Sequence, residues 1–181
     1  VIFVLFQGLA AVQVHEGQLQ ADWHFRQAGE EQWQPATVPG CVHTDLMNNG
    51  RISNPYYRDV ERNIQWIGKK DCEYKTSFRV DEQMLSRSRI ELVFHGLDTY
   101  ADVYLNGEKL LSADNMFRTW AVDVKSRLRP GENNLRVYFH SVFKINVPKW
   151  ENAEYRLKAP ANNDQSDVQI SMYSRKAGYH Y

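Results

Sequence analysis

Hydrophobic and polar residues alternate with a period of two over much of the middle of the chain. The alternation is clearest in five segments, residues 74–80, 90–94, 101–105, 120–124 and 135–139. Successive side chains of a β-strand point to opposite faces of its sheet, so each segment is predicted to be a strand with one buried face. Short strands that follow one another with turns between them are typical of an antiparallel β-sandwich or jelly roll.

Turn and helix signals lie between these strands. Asn106-Gly107 predicts a tight hairpin, because a type I′ turn needs a positive φ at both central residues. Residues 130–133, Pro-Gly-Glu-Asn, predict a second turn. Short helices are expected at 43–47 and at 81–85. The predicted fold class is therefore all-β, an antiparallel β-sandwich with one or two short helices.

Two segments, residues 54–72 and 144–181, are polar and aromatic without a clear period. Long unpatterned segments in a compact domain are usually functional or interfacial. Aromatic side chains outside the strand pattern can stack against sugar rings or pack inside the protein, and packing is favoured for any single one. The residues concerned are Trp23, Trp33, Tyr56, Tyr57, Trp66 and Trp150.

The first dozen residues, VIFVLFQGLAAV, are almost entirely apolar and end in small residues. A run of this length suits the hydrophobic region of a signal peptide, whereas a bilayer span needs about 20 residues. We therefore predict that residues 1–12 are the remnant of a signal peptide and that residues 13–181 form the domain. A buried first strand is the alternative. The signal peptide would direct the protein to the periplasm or to secretion, with the lysosome as a further compartment.

Composition and charge narrow the range of functions. The 181 residues carry 22 basic and 22 acidic side chains, so the formal net charge is zero. Nucleic-acid binders and polybasic membrane-surface proteins carry a basic excess, so neither class is expected. No apolar run in the sequence reaches the length of a membrane span. Cys41 and Cys72 are too few for a disulfide scaffold or a zinc ribbon, and whether they pair stays open.

No catalytic constellation is recognisable in the sequence. The histidines at 15, 24, 43, 95, 140 and 180 lack metal-ligand spacing, and no nucleophile elbow or phosphate-binding loop occurs. Neither a metal nor a cofactor is expected. Cys41 has no recognisable general base, so a buried or paired thiol is favoured over a nucleophile. Asp59 and Glu61 are close in sequence, but solvated loop carboxylates are favoured over a glycosidase pair.

Several motifs resemble the sugar-binding domain of glycoside hydrolase family 2. Residues 92–107, LVFHGLDTYADVYLNG, and 130–137, PGENNLRV, are similar to the broad family. Residues 38–46 (VPGCVHTDL), 54–59 (NPYYRD) and 175–181 (RKAGYHY) are similar to its β-mannosidase members. The resemblance extends over nearly everything from residue 17 to residue 181. At Cys72 the family more often carries an aromatic residue, so no role is assigned to that thiol.

The resemblance implies a larger parent protein. Enzymes of this kind are exo-acting retaining hydrolases of terminal β-D-mannose residues. They have an N-terminal galactose-binding-like jelly roll, immunoglobulin-like domains and a TIM barrel that holds both catalytic glutamates. The resemblance thus implies a β-mannoside oligosaccharide as substrate, the downstream domains as partners and no catalytic residue in this chain. It also implies that the sandwich in this chain lacks its last strand. The domain would form one wall of the active site and would be inert alone.

The resemblance also places residues 54–70 near the sugar, because the corresponding loop in the family approaches the active site. We hypothesise that four polar or aromatic residues line or support the sugar subsite, namely Arg58, Glu61, Asn63 and Trp66. Two other functions stay open. One is a free-standing carbohydrate-binding module, and the other is the same domain of another family 2 enzyme, such as a β-galactosidase or a β-glucuronidase.

Overall fold

The computed structural model describes the backbone of residues 2–6 and all of residues 14–155. The strands are β1 (Ile2–Phe6), β2 (His15–Gln18), β3 (Trp23–Gln27), β4 (Gln34–Ala36), β5 (Cys72–Val80), β6 (Arg89–Phe94), β7 (Ala101–Leu105), β8 (Glu108–Ala113), β9 (Trp120–Asp123) and β10 (Gly131–Phe139). The helices are α1 (Val42–Asn48), α2 (Val60–Asn63), α3 (Glu82–Leu85) and α4 (Val142–Glu151). Two 3-10 turns lie at Ile67–Lys69 and Lys125–Arg127.

The strands form two antiparallel sheets. One sheet has four strands in the order β2-β1-β6-β9, and the other has six in the order β4-β3-β5-β10-β7-β8. The longest pairing joins β5 to β10 over nine residues, from Cys72 opposite Phe139 to Val80 opposite Gly131. This arrangement confirms the predicted all-β sandwich.

One hydrophobic core receives side chains from both sheets. Phe25, Leu105 and Leu135 of the six-stranded sheet and Ile90 and Phe94 of the four-stranded sheet are each no more than 2% exposed. They belong to one continuous cluster of buried residues. Burying a side chain of this size stabilises the fold by about 1.5–3 kcal/mol, so the two sheets hold each other chiefly through this layer.

The predicted hairpin and the alternation of β5 are confirmed. Asn106 and Gly107 have φ values of 52° and 89°, and Leu105 pairs directly with Glu108 across the two-residue loop. In β5 the residues at even positions from 74 to 80 are buried, whereas those at 75, 77 and 79 are exposed. One face of the strand therefore points into the core, as the sequence pattern predicts.

The end of the predicted turn at 130–133 was placed wrongly. Strand β10 begins at Gly131 (φ 86°), so Gly131–Asn133 already pair with β5. The Asn133 side chain points inward and is fully buried, where it donates to the carbonyls of Arg129 and Gly131. A polar residue satisfied by neighbouring backbone groups can occupy a core position that a hydrophobicity pattern would not assign to it.

Helices are more numerous than the one or two expected. The predictions at 43–47 and 81–85 are confirmed by α1 and α3, and the Asp81 side chain accepts from the Met84 amide at 2.6 Å to cap α3. The helices α2 and α4 were not predicted. The sequence of α4 contains Pro148 and few strong helix formers, and it begins where the Ser141 hydroxyl accepts from the Lys144 amide.

The N-terminal segment contributes a strand in this structure. Ile2–Phe6 pairs with β6 on one side and with β2 on the other. The backbone thus agrees with the alternative of a first strand, while the assignment of residues 1–12 as a signal-peptide remnant stays a prediction. Residues 156–181, including the predicted aromatic tail at Tyr173, Tyr179 and Tyr181, lie outside the described residues. Among the helices in the described part, none has the length and apolar character of a membrane span.

Candidate functional site

A cavity of about 690 Å³ opens beside the end of the six-stranded sheet. It lies where the turn 38–42 before α1, the 3-10 turn at Ile67–Lys69 and residues 94–98 after β6 meet the junction between β10 and α4. Its volume falls within the range of pockets that bind small molecules. This is the candidate site that the described residues form.

The cavity combines apolar walls with a polar rim. Trp23, Phe94 and Val137 are among the apolar residues of the lining, and all three belong to the buried core. Lys70 and Asp98 are exposed members of the same lining. The lining thus combines apolar residues of the buried core with exposed charged residues.

Asp71 fastens the segment before β5 to the start of α4. Its carboxylate accepts from the Ser141 amide at 2.7 Å, from the Tyr138 hydroxyl at 2.9 Å and from Lys144 Nζ at 2.7 Å. Burial alone would raise the pKa of Asp71, but these donors, Lys144 foremost, lower it overall. Asp71 is therefore a carboxylate at neutral pH, and it holds two walls of the cavity together.

Gly68 allows these walls to come close. The Ser141 hydroxyl donates to the Gly68 carbonyl at 2.7 Å, across 73 residues of sequence. A Cβ atom at position 68 would lie 2.9 Å from the Phe143 ring. A larger residue at position 68 would thus push the 3-10 turn away from α4.

Asp45 anchors α1 against the sheet. It is 1% exposed, and its carboxylate accepts from the Thr37 amide at 2.9 Å and from the Tyr74 hydroxyl at 2.8 Å. Burial raises the pKa of Asp45, although both hydrogen bonds oppose that shift, and burial also raises the pKa of Tyr74. The anchor places the first residues of α1 at the mouth of the cavity.

Two thiols line the cavity, and their environments differ. Cys41 is exposed, and a hydrogen bond with the His43 side chain lowers the pKa of its thiol to about 7 against the opposing effect of burial. Burial raises the pKa of Cys72 to about 12. Neither thiol is paired in this structure, so the sequence-based expectation of a buried or paired Cys41 is wrong. His43 is the basic partner that the sequence pattern did not identify.

A second carboxylate, Asp102, gathers polar partners beside the cavity. It accepts from Lys109 Nζ at 2.7 Å and from the Ser112 hydroxyl at 2.6 Å, and it lies 2.9 Å from Nε2 of the cavity residue His140. Burial would raise the pKa of Asp102, but the hydrogen bonds from Lys109, Ser112 and His140 lower it to about 2. The charged form of Asp102 therefore stabilises the folded state.

Replacing Asp102 by asparagine is expected to lower the free energy of unfolding at pH 7 by about 1–2 kcal/mol. This range is smaller than the full pKa shift would give, because Lys109 is exposed and solvent screens its attraction to Asp102. The pKa of Asp102 is lower in the folded state than in the unfolded chain, so its stabilisation is present above about pH 4 and is lost as the pH falls towards 2. Urea denaturation between pH 7 and pH 2 measures this. The exposed Asp114→Asn variant is the control, and a constant gap between Asp102→Asn and the parent protein at all pH values would contradict the prediction.

None of the four predicted sugar-site residues is among the described residues that line the cavity. Arg58 precedes α2, Glu61 and Asn63 lie within α2, and Trp66 stands immediately before the 3-10 turn. No hydrogen bond or ion pair joins any two of them within residues 14–155, and the lining takes Ile67, Gly68 and Lys70 from this segment instead. Their assignment to a sugar subsite stays a prediction.

Exposed aromatic side chains cluster just before these residues. Tyr56 and Tyr57 are 65% and 58% exposed, and the Arg58 guanidinium lies 5.0 Å from the centroid of the Tyr57 ring. Arg58 has a φ of 54°, which bulky residues rarely adopt. The segment therefore has two exposed aromatic residues in sequence beside a cation that lies over one of the rings.

Comparisons with known proteins agree with this fold and these motifs. The chain is 35% identical over 131 residues to the β-mannosidase of Bos taurus, which covers 72% of the chain and 15% of the relative. It is 32% identical over 169 residues to β-mannosidase B of Aspergillus niger, covering 90% of the chain and 19% of the relative. The chain thus spans less than a fifth of the length of these relatives.

Solved structures show the same relationship. A β-D-mannosidase from Dictyoglomus thermophilum matches 88% of the chain, and 19% of that protein, with a TM-score of 0.80 and 38% identity. An exo-chitosanase from Amycolatopsis orientalis matches 67% of the chain and 16% of that protein, with a TM-score of 0.59 but only 20% identity, so it shares the fold alone. The model of the glycosyl hydrolase 2 galactose-binding domain-like family matches residues 23–181, and the chain belongs to that family.

Proposed function

We propose that this chain is the N-terminal domain of an exo-acting, retaining β-mannosidase that hydrolyses terminal non-reducing β-D-mannose residues. The observation that carries the proposal is the similarity to a solved β-D-mannosidase, which extends over 88% of the chain at 38% identity. Relatives named β-mannosidase at 31–35% identity support it. The exo-chitosanase lies at 20% identity and supports no conclusion about the substrate.

We place the catalytic carboxylates in other domains of the parent protein. A retaining glycosidase needs two carboxyl groups about 5–5.5 Å apart, one as acid and base and the other as nucleophile. Within the described residues, Asp98 is the only carboxylate in the cavity lining. This supports a domain that is inert alone. In our proposal it works beside downstream immunoglobulin-like and TIM-barrel domains and needs no metal or cofactor. Export of the protein belongs to the same proposal.

We assign this domain the role of a wall of the sugar subsite. The exposed rings of Tyr56 and Tyr57 offer flat apolar faces for the C–H groups of a sugar, and Arg58 adds a donor for hydroxyl groups. Trp66 is partly buried against the hydrophobic core, and this packing fixes the position of the end of the segment 56–66. A rigid wall positions the terminal sugar for cleavage elsewhere in the protein.

The experiment is hydrolysis of p-nitrophenyl β-D-mannopyranoside by the full-length protein. We expect kcat/KM for this substrate to exceed that for the β-galactoside and the β-glucuronide at least tenfold, and proton NMR to show the β-anomer of mannose as the first product. We expect no hydrolysis by the 181-residue chain alone. A preference for another glycoside, or α-mannose as first product, would overturn the corresponding part of the proposal.

Arg58→Ala in the full-length enzyme is expected to lower kcat/KM for the aryl β-mannoside about tenfold, or about 1.4 kcal/mol of transition-state binding. Arg62→Ala is the matched control, because Arg62 is exposed in the adjacent α2 helix. The same assay applies to alanine variants of Glu61, Asn63 and Trp66, with the unfolding temperature measured for each. Unchanged kcat and KM across all four variants would rule out the sugar-site assignment.

A further inference from the structure

Cys41 and His43 bring a nucleophile and a base together at the cavity. Cys41 is exposed and belongs to the lining, whereas His43 lies in α1 and is 8% exposed. A hydrogen bond with the His43 side chain lowers the pKa of the Cys41 thiol to about 7, against the effect of burial. Among the described residues, His43 is the only one whose charge shifts the pKa of this thiol. A thiol paired with an imidazole is the arrangement that activates cysteine nucleophiles.

Thr44 fixes the position of Cys41 in front of the helix. The Thr44 hydroxyl donates to the Cys41 carbonyl at 2.7 Å, and the Cys41 amide donates to the same hydroxyl oxygen at 3.4 Å. This oxygen also lies 3.5 Å from Cys41 Sγ. The sulfur therefore has a defined place in the lining, which lowers the entropy cost of a reaction at this atom.

The rest of the lining suits an apolar ligand better than a polar one. The Tyr74 hydroxyl donates to Asp45 and the Ser141 hydroxyl donates to the Gly68 carbonyl, so both are already engaged with the protein. The apolar walls include the buried ring of Phe94. The volume of about 690 Å³ is sufficient for a small organic molecule. A reactive sulfur thus lies beside a space that favours apolar groups.

We propose that Cys41 forms a mixed disulfide with a low-molecular-weight organic disulfide whose apolar group occupies the cavity. The Cys41 thiolate attacks one sulfur of that disulfide, and a new S–S bond forms as the old one breaks. The other half leaves as a thiolate and takes up the proton that Cys41 has lost. Cys41 is oxidised and the leaving sulfur is reduced, so the disulfide itself is the oxidant. This modification site does not depend on the proposed β-mannosidase activity.

The first measurement needs no variant, because Cys72 is an internal reference in the 181-residue chain. Burial raises the pKa of the Cys72 thiol to about 12. Dipyridyl disulfide at pH 7 is expected to modify Cys41 at least a hundredfold faster than Cys72, as peptide mass mapping would show. The rate of modification of Cys41 should reach half its maximum near pH 7. Equal modification of the two thiols, or a half-maximum at the pH of an ordinary thiol, about 8.5, would overturn the proposal.

The role of the cavity is tested by comparing two disulfides. The rate constant of Cys41 is divided by that of N-acetylcysteine, which has no cavity, for dipyridyl disulfide and for the polar glutathione disulfide. We expect the ratio to be at least tenfold larger for dipyridyl disulfide. Equal ratios would mean that the apolar group gains nothing from the cavity, and would overturn the proposal.

His43→Asn tests the activation of the thiol. We expect the half-maximum to rise towards pH 8.5 and the rate at pH 7 to fall about threefold, because fewer thiolates form but each is more nucleophilic. Above about pH 8.5 the variant should therefore react faster than the parent chain. His95→Asn is the matched control, since His95 is an exposed histidine of the same lining, and it should change the rate less than twofold. Unchanged pH profiles in both variants would contradict the role of His43.

Discussion

Replacing Phe25 by alanine is expected to lower the free energy of unfolding by about 3–5 kcal/mol. Phe25 is 1% exposed and lies in β3, between β4 and β5. Its ring stacks on that of Tyr74 with centroids 5.8 Å apart and an interplanar angle of 29°. The substitution removes a large buried surface, leaves a cavity and deletes an aromatic pair worth about 0.5–1.5 kcal/mol beyond its area.

Phe117→Ala is the matched control for this prediction. Phe117 is 78% exposed, so the same change of side chain should alter the free energy of unfolding by less than about 0.5 kcal/mol. Urea denaturation of both variants and of the parent chain gives the comparison directly, provided that the slopes of the transitions agree. A loss below about 1.5 kcal/mol for Phe25→Ala would mean that the sheet repacks around the missing ring.

The strands were predictable because they obey a local rule. From Tyr74 to the end of β5, and throughout β7, each inward residue is apolar or small and each outward residue is polar or amphipathic, so the pattern of burial is already present in the order of residues. The turn at Asn106-Gly107 adds a second local rule, since both residues adopt the positive φ values that the turn requires. Strands and turns of this kind can therefore be predicted from neighbouring residues alone, without the tertiary structure.

The helix α4 lacked such a local signal. Its buried residues Val142, Phe143 and Asn146 include a polar one, and Pro148 lies inside it. Its start is held by Ser141, which contacts Asp71 and Gly68 some 70 residues earlier in the chain. Contacts over such a separation arise from the tertiary fold, which overrides weak helix propensity.

The same limit explains why the candidate site could not be assembled from the sequence. The cavity joins residues from the 38–42 turn, the 67–70 segment and the start of α4, and no local pattern relates these three regions. Cys41 precedes α1 with extended backbone, whereas His43 lies inside the helix, so no regular spacing predicts that the two side chains interact. The segments that the resemblance singled out, 38–46 and 54–70, include two of these three regions, but the resemblance could not show which of their side chains turn inward.

Asn133→Ala is expected to lower the free energy of unfolding by about 2–4 kcal/mol, because it removes four hydrogen bonds made by a fully buried side chain and leaves a cavity in its place. Asn133 is fully buried, and its amide nitrogen donates to the carbonyls of Arg129 and Gly131. Its amide oxygen accepts from the Arg129 amide at 3.1 Å and from Asn106 Nδ2 at 2.8 Å. The side chain thus ties the start of β10 to the β7–β8 hairpin.

The neighbouring Asn134 provides the control for that prediction. Its side chain is exposed on the opposite face of β10, so Asn134→Ala should cost less than about 0.5 kcal/mol in urea denaturation. A double-mutant cycle with Asn106→Ala separates the hydrogen bond between the two asparagines from the loss of packing, and a coupling of about 0.5–3 kcal/mol is expected. Similar losses for Asn133→Ala and Asn134→Ala would refute the idea that a buried amide network holds this hairpin. The backbone amide of Asn134 donates to Asn106 Oδ1 at 2.9 Å, and this hydrogen bond is kept in Asn134→Ala. Any coupling measured between Asn106→Ala and Asn134→Ala therefore comes from the backbone of residue 134 and not from its deleted side chain.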